Sequence, residues 1–213
     1  MKRTILRQSG AAAAVLALSV TLAACGSDDE SSNSAGEDTS SESEAPTSEE
    51  PAADDAGAQT FGEGCSLIPD DGAGSFNGMA TEPVATAASG NPLLKTLVTA
   101  VGEAGLVDTL NSAEALTVFA PTDDAFAKIP EKDLNAVLAD KELLTQILTG
   151  HVVAGQLGPD ELSGELETLA GNTIEVKGSD ESFTVADEEA NVLCGNIPTS
   201  NATVYVIDTV LMP

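Results

Sequence analysis

The chain has 213 residues, enough for one or two domains, and sets 35 Asp+Glu against 8 Lys+Arg for a formal net charge of -27. That balance excludes nucleic acid as a ligand, because phosphate binding needs a basic face. Aromatics at 3%, with no Trp and one Tyr (Tyr205), leave little material for a stacking platform. A single His, His151, and three Cys exclude an all-His or Cys-rich zinc site and leave only a mixed or carboxylate-rich one open. No cofactor is expected.

Residues 1–24 read as an export leader. Lys2, Arg3 and Arg7 stand before any acid, and Ala11 to Ala24 runs without a charge. That stretch is too short for a bilayer, which takes about 20 helical residues, but it suits a signal-peptide core. It ends in Leu22-Ala23-Ala24-Cys25, which resembles the bacterial lipobox. The pattern implies a diacylglycerol on the Cys25 thiol, cleavage before Cys25 and acylation of the new amine. More than one chain matters, since a single fatty chain holds a membrane only reversibly.

Residues 25–60 form an acidic Ser/Glu-rich stretch with eleven acids, no base and almost nothing apolar beyond Ala. Such a sequence cannot bury enough surface to offset the ordering of its backbone, so it reads as a disordered tether. A flexible coil of this length spans roughly 33 Å r.m.s., and self-repulsion extends it.

The remainder, residues 61–213, is long enough to fold alone as one domain. With Cys25 assigned to lipid, it holds Cys65 and Cys194. Two thiols in an exported chain allow one disulfide, closing a loop of about 130 residues; the alternative is two free thiols exposed to oxidation.

Asn91-Pro92 reads as an N-cap with Pro in the first helical position, followed by Leu93, Leu94, Leu97, Val98 and Val101 at helical spacing. A short helix is predicted over Gly105–Leu110 and a compact strand over Leu116–Phe119. Thr122 caps a short helix whose first turn carries Asp123 and Asp124, where the helix dipole favours acids. Pro130 opens a helix through Leu138, and Asp140 caps the next, with Leu143, Leu144, Ile147 and Leu148 on one face. Beyond Gly150 the period becomes two, with strands predicted at His151–Val153, Thr173–Lys177, Ser182–Ala186, Asn191–Cys194 and Thr203–Val210. Helices followed by strands indicate an α+β fold.

Three ordered segments carry a resemblance. LTVFAPTDDAFAKIP (Leu116 to Pro130) is similar to the first signature of the fasciclin domain, LLTQILTGHVVAG (Leu143 to Gly155) to its central segment, and NATVYVIDTVLMP (Asn201 to Pro213) to its second signature. With the lipobox and the Cys-Gly-Asn-Ile-Pro-Thr run, the chain most resembles the single-domain actinobacterial surface lipoproteins and secreted antigens. The resemblance implies a β-wedge of short strands flanked by helices, outside the membrane and associated with adhesion.

Within these motifs most residues read as structure. Phe119 belongs to a central apolar strand that Pro121 ends, and Thr122 caps the helix that turns Phe126 into the core. The last strand is apolar on both faces, which places Tyr205 and its neighbours in a strand covered on both sides. Asp208 interrupts that run and reads as a carboxylate accepting hydrogen bonds near the first signature. His151 reads as a neutral, partly buried imidazole bonded to backbone at a helix-to-strand join. In some animal members a Tyr-His pair at this place is tied to integrin contacts; Gly150 stands in the Tyr position, so that activity does not carry over. Asn201-Ala202-Thr203 fits a glycosylation pattern but enters a strand, and is read as chance.

No G-x-S-x-G, H-E-x-x-H, P-loop or G-x-G-x-x-G occurs, so no enzyme is expected. The expectation is a monomeric adhesion or interaction module on the outer face of the cell membrane, lipid-anchored and in part shed, with an unidentified protein, matrix or envelope partner. The alternative is a small-ligand or lipid-binding envelope protein with an apolar cleft between helices and wedge.

Overall fold

The computed structural model describes residues 56–186 and 189–212. The leader, Cys25 and the acidic stretch up to residue 55 lie outside the described residues. After a 3-10 turn at Glu63–Leu67 the helices are α1 Phe76–Ala80, α2 Val84–Gly90, α3 Lys95–Ala104 and α4 Val107–Ser112; strand β1, Leu116–Pro121, precedes α5 Asp123–Ala127, α6 Glu131–Ala139 and α7 Lys141–Gly150. Then follow β2 Val152–Ala154, α8 Pro159–Leu162, β3 Gly164–Glu167, β4 Thr173–Ser179, β5 Ser182–Val185, β6 Ala190–Pro198 and β7 Ala202–Ile207.

The seven strands form one sheet in the order β2-β1-β7-β6-β5-β4-β3. All neighbours are antiparallel except β1 and β7, which pair in parallel from Leu116 opposite Ala202 to Pro121 opposite Ile207. The sheet curls until its two edges meet. Val153 bridges Thr168 just beyond β3, and the Leu169 N–H donates to the Val152 carbonyl at 2.8 Å. This is an α+β wedge, with helices packed against one face of a strongly coiled sheet.

Side-chain alternation on the central pair separates two cores. Val118, Ala120, Val204 and Val206 face the helices and join Leu97, Val101, Leu144 and Leu148. Phe119, Tyr205 and Ile207 face the inside of the curl and join Phe61, Leu162, Val176, Phe183 and Val185. Every residue of β1 is buried, as is every residue of β7 except the half-buried Thr203. The doubly apolar reading of the last strand therefore holds, although that strand ends at Ile207 and Asp208 follows it.

Local signals place several helix starts. The Thr122 hydroxyl accepts from the Ala125 N–H at 3.2 Å and the Asp140 carboxylate from the Leu143 N–H at 3.0 Å. The Asn91 start is a correction. Its side chain accepts from the Leu93 N–H and forms a turn, and α3 begins only at Lys95. The cap of α3 comes from the first signature instead: Asp123 accepts from the Thr96 N–H at 2.7 Å while its own N–H donates to Leu93.

The folded body also begins earlier than residue 61. The Thr60 hydroxyl donates to the Gly57 carbonyl at 2.7 Å, the Ala56 N–H to Asn77, and the Asn196 amide to the Gln59 carbonyl. These bonds give residues 56–60 fixed partners despite a polar sequence. Phe61 then exchanges both backbone hydrogen bonds with Gly195 and sets its ring 5.5 Å from Phe183 and 6.3 Å from Tyr205. A Cβ on Gly195 would lie 2.3 Å from the Phe61 ring, so this close approach needs glycine. Cys65 is joined to Cys194 by a disulfide, one residue from that contact.

Phe61 thus plugs one end of the inner core. Phe61→Ala is expected to cost about 3–5 kcal/mol in denaturant unfolding. Gly195→Ala is expected to destabilise as well, by displacing the same ring, with the disulfide still formed. Two curves superimposed on that of the parent would show that the ring does not close the core.

Candidate functional site

His151 sits where α7 ends and β2 begins. It is 2% exposed. Its Nδ1–H donates to the Ile147 carbonyl at 2.8 Å, and its Nε2 accepts from the Leu211 N–H at 2.9 Å, which fixes the tautomer. The His151 carbonyl in turn accepts from the Phe119 N–H at 2.9 Å. One residue therefore ties α7, β1 and the C-terminal segment together. Burial lowers the imidazole pKa to about 4, against the smaller opposing effect of the Ile147 bond. With both nitrogens engaged by backbone, the ring has no lone pair to offer a substrate. The imidazole is thus buried and bonded to backbone at both nitrogens.

The other singled-out residues fall into separate places. Pro121 and Phe126 share with His151 a small apolar cavity of about 20 Å³ beneath α6. Phe119 lies 5.9 Å from Tyr205 in the inner core, and the Tyr205 hydroxyl donates to the Leu157 carbonyl at 2.9 Å. Burial, and secondarily Glu161, pushes that hydroxyl's pKa up. Asp208 lies toward the surface, about a quarter exposed. Its carboxylate accepts from the Asn191 N–H at 2.9 Å and the Asn191 amide at 3.1 Å, and from the Thr209 hydroxyl, with Lys128 of the first signature 3.4 Å away. Burial alone would raise this carboxyl's pKa, but the Asn191 and Thr209 hydrogen bonds and Lys128 together hold it below the ordinary carboxylate range. Cys65, in the N-terminal strap, is bonded to Cys194 on β6. Among the described residues no group of three or more His, Cys, Asp or Glu is placed to hold a metal ion.

Asn201 is a residue whose role the sequence reading missed. Its carbonyl oxygen accepts from the Val84 N–H at 2.9 Å, and its amide donates to the Leu110 and Ala113 carbonyls at 2.8 and 2.9 Å. It is 8% exposed, so the glycosylation pattern is closed to a sugar. An Asn immediately before an all-apolar strand was the available signal. Thr117 acts similarly, donating to the Gly155 carbonyl at 2.7 Å and accepting from the Leu157 N–H at 2.9 Å. Between α2, α3 and α4 on one side and β1, β2 and the end of α7 on the other lies an open apolar cleft of about 70 Å³. No local motif announces it, because its lining is shared among six elements, none of which contributes more than three side chains.

Two consequences can be measured. Because the folded-state pKa of His151 lies below its unfolded value of about 6.5, the unfolded chain binds more protons between the two. Its contribution to stability is full above pH 6.5 and falls as the pH drops toward 4, by about 3 kcal/mol in all. Urea unfolding at pH 7.5 and 4.5 should show this loss in the parent and not in His151→Gln; equal losses would refute it. Asp208→Ala should lower Tm by a few degrees, since it removes hydrogen bonds that at an exposed site are worth about 0.5–1.5 kcal/mol net. An unchanged melting curve would reject a structural role for the carboxylate.

The family model of the fasciclin domain matches residues 92–213. The cell surface glycolipoprotein MPB83 of Mycobacterium bovis is 46% identical over 167 residues, covering 75% of this chain and 74% of that protein. The immunogenic protein MPB70 of the same species is 48% identical over 147 residues, covering 67% and 75%. A solved FAS1 domain pair from the insect cell adhesion molecule fasciclin I aligns with a TM-score of 0.47 and 22% identity, over 56% of this chain and 45% of that one. The two signatures that meet as the parallel pair β1–β7, and the identity to these relatives over two thirds or more of the chain, make this protein a member of the fasciclin-domain family.

Proposed function

We propose that the protein is a surface interaction module: a fasciclin domain held on the outer face of the cell membrane by acyl groups on Cys25 and projected by an acidic tether. It contacts a protein, matrix or envelope partner as a monomer and performs no chemistry of its own. The observation that carries this reading is the 46% identity to a cell surface glycolipoprotein, together with Leu22-Ala23-Ala24-Cys25 after an uncharged leader core. The site geometry agrees with it. His151, Tyr205, Thr122, Thr117 and Asn201 all direct their polar atoms at backbone groups, so their job is to hold the scaffold. What remains for recognition is the surface. From residue 56 onward that surface carries five Lys against 24 acids, a net charge of -19, which suits a basic or cation-bridged partner.

The test uses the full chain in an actinobacterial host. The parent should label with an alkyne fatty acid, stay with the membrane fraction through a detergent-free wash and be removed by protease added to intact cells. Cys25→Ser should fail to label and pass largely into the medium. A Cys25→Ser chain retained in the pellet as firmly as the parent would overturn the anchor. Immobilised protein should bind matrix or envelope material saturably, and more weakly as salt rises; no saturable binding to such material would remove the adhesive reading.

A further inference from the structure

The apolar cleft between α2–α4 and the β1–β2–α7 junction has a floor built of Leu97, Val101, Val118, Leu148 and Val152, each under one tenth exposed. The polar side chains in that floor are already occupied. The Thr149 hydroxyl donates to the Thr145 carbonyl at 2.7 Å, and both His151 nitrogens are bonded to backbone. The remaining polar side chain of the lining, Thr109, is exposed, so water in the floor of the cleft finds few of the two to four polar partners it needs.

Apart from Thr109 the mouth is apolar as well. Among the described residues four large hydrophobic side chains are exposed, and two of them, Val107 at 37% and Leu169 at 47%, flank this one opening. On a domain of net charge -19, exposed apolar side chains gathered around an apolar hollow mark a binding groove.

Size and charge narrow the occupant. The cavity of about 70 Å³ is roughly half of the about 150 Å³ that accommodates a benzene ring. That leaves no room for a ring or a sterol, and it admits only the terminal methyl and the next few methylenes of one alkyl chain entering end-on, the rest of the chain lying in the open mouth. No charged side chain lines the cleft. A carboxylate or phosphate headgroup at the mouth would meet the field of the whole acidic domain without a cationic partner. We propose that this cleft binds one straight acyl chain of an uncharged amphiphile, a neutral monoacyl lipid. This site is independent of the anchoring and adhesion reading, and each can fail without the other.

The test uses the exported full chain carrying Cys25→Ser, so that no attached acyl group competes, with 1-monooctanoylglycerol and octanoate as probes. The monoglyceride should bind saturably at one per chain, below its aggregation concentration, and shift the methyl resonances of Val118, Leu148 and Val152. Octanoate at pH 8 should bind at least tenfold more weakly. Ala85→Leu, which fills the cleft from the half-buried face of α2, should weaken binding at least tenfold while leaving Tm within about a degree. Leu169→Asn, at the exposed mouth, should do so to a lesser extent. Methyl shifts that do not saturate, or an Ala85→Leu chain of unchanged affinity, would overturn the site. Equal affinity for octanoate would overturn the choice of an uncharged headgroup.

Discussion

The fold depends on six residues of β1 lying parallel to six of β7, with both faces of the pair covered. A parallel pair cannot be closed by a tight turn, and here about 80 residues separate the two strands. That intervening chain cannot be idle. Its first part, α5–α7, covers the helix side, and its later part, β2–β6, wraps around to cover the other. The pair is therefore the partition between two cores, and each core contributes only if the other is in place. Alternation along Val204, Tyr205, Val206 and Ile207 gives the partition its two faces.

Joining distant segments across such a partition leaves helix ends and loop carbonyls buried, and the polar side chains answer that need. α2 starts after Pro83 with no cap of its own; its first N–H groups are taken by Asn201 and by Asn111 at 2.9 Å each. α3 is capped by Asp123 from the next strand-helix junction. The loop after β2 is held at Leu157 from two sides, by Thr117 and Tyr205. His151 does the same for the C-terminal segment. Residues of the two signatures are thus fixed by the requirement that buried backbone groups find partners. A family can keep them while varying what its surface meets.

This division explains what could be read from the sequence. Caps that act within three residues, such as Thr122 and Asp140, were legible because the signal and its target are adjacent. The doubly apolar β7 was legible because its period is two and both phases are hydrophobic. Asn91-Pro92 misled for a specific reason: its side chain closes a local turn, and the helix start it seemed to mark was assigned by Asp123 some thirty residues later. The short α1, the Ala-rich α2 and the polar β3 left little periodicity to detect. β3, with Glu165 and Glu167 exposed, is held by its pairing with β4 and not by burial of its own residues. The apolar cleft is a property of assembled elements and has no one-dimensional trace.

The strap from residue 56 to the disulfide shows how this chain completes the family fold. The fasciclin-domain match begins at residue 92, so Phe61 and Cys65 lie outside the segment the wider family shares. Yet Phe61 is 7% exposed and contacts Phe183 and Tyr205, so the inner core here takes in a ring from beyond that segment. If that ring left its site it would give up its contacts with Phe183 and Tyr205 and both backbone bonds to Gly195, at the cost of uncovering a buried aromatic. The bond from Cys65 to Cys194 limits how far it can go, keeping Phe61 within four residues of a fixed point on β6. Under the anchoring proposed above, a pull transmitted along the tether reaches that covalent bond after only the strap has yielded. It then enters the sheet at Cys194 on β6, the strand paired with β7, without first passing through α1 and α2, which lie beyond Cys65 in sequence.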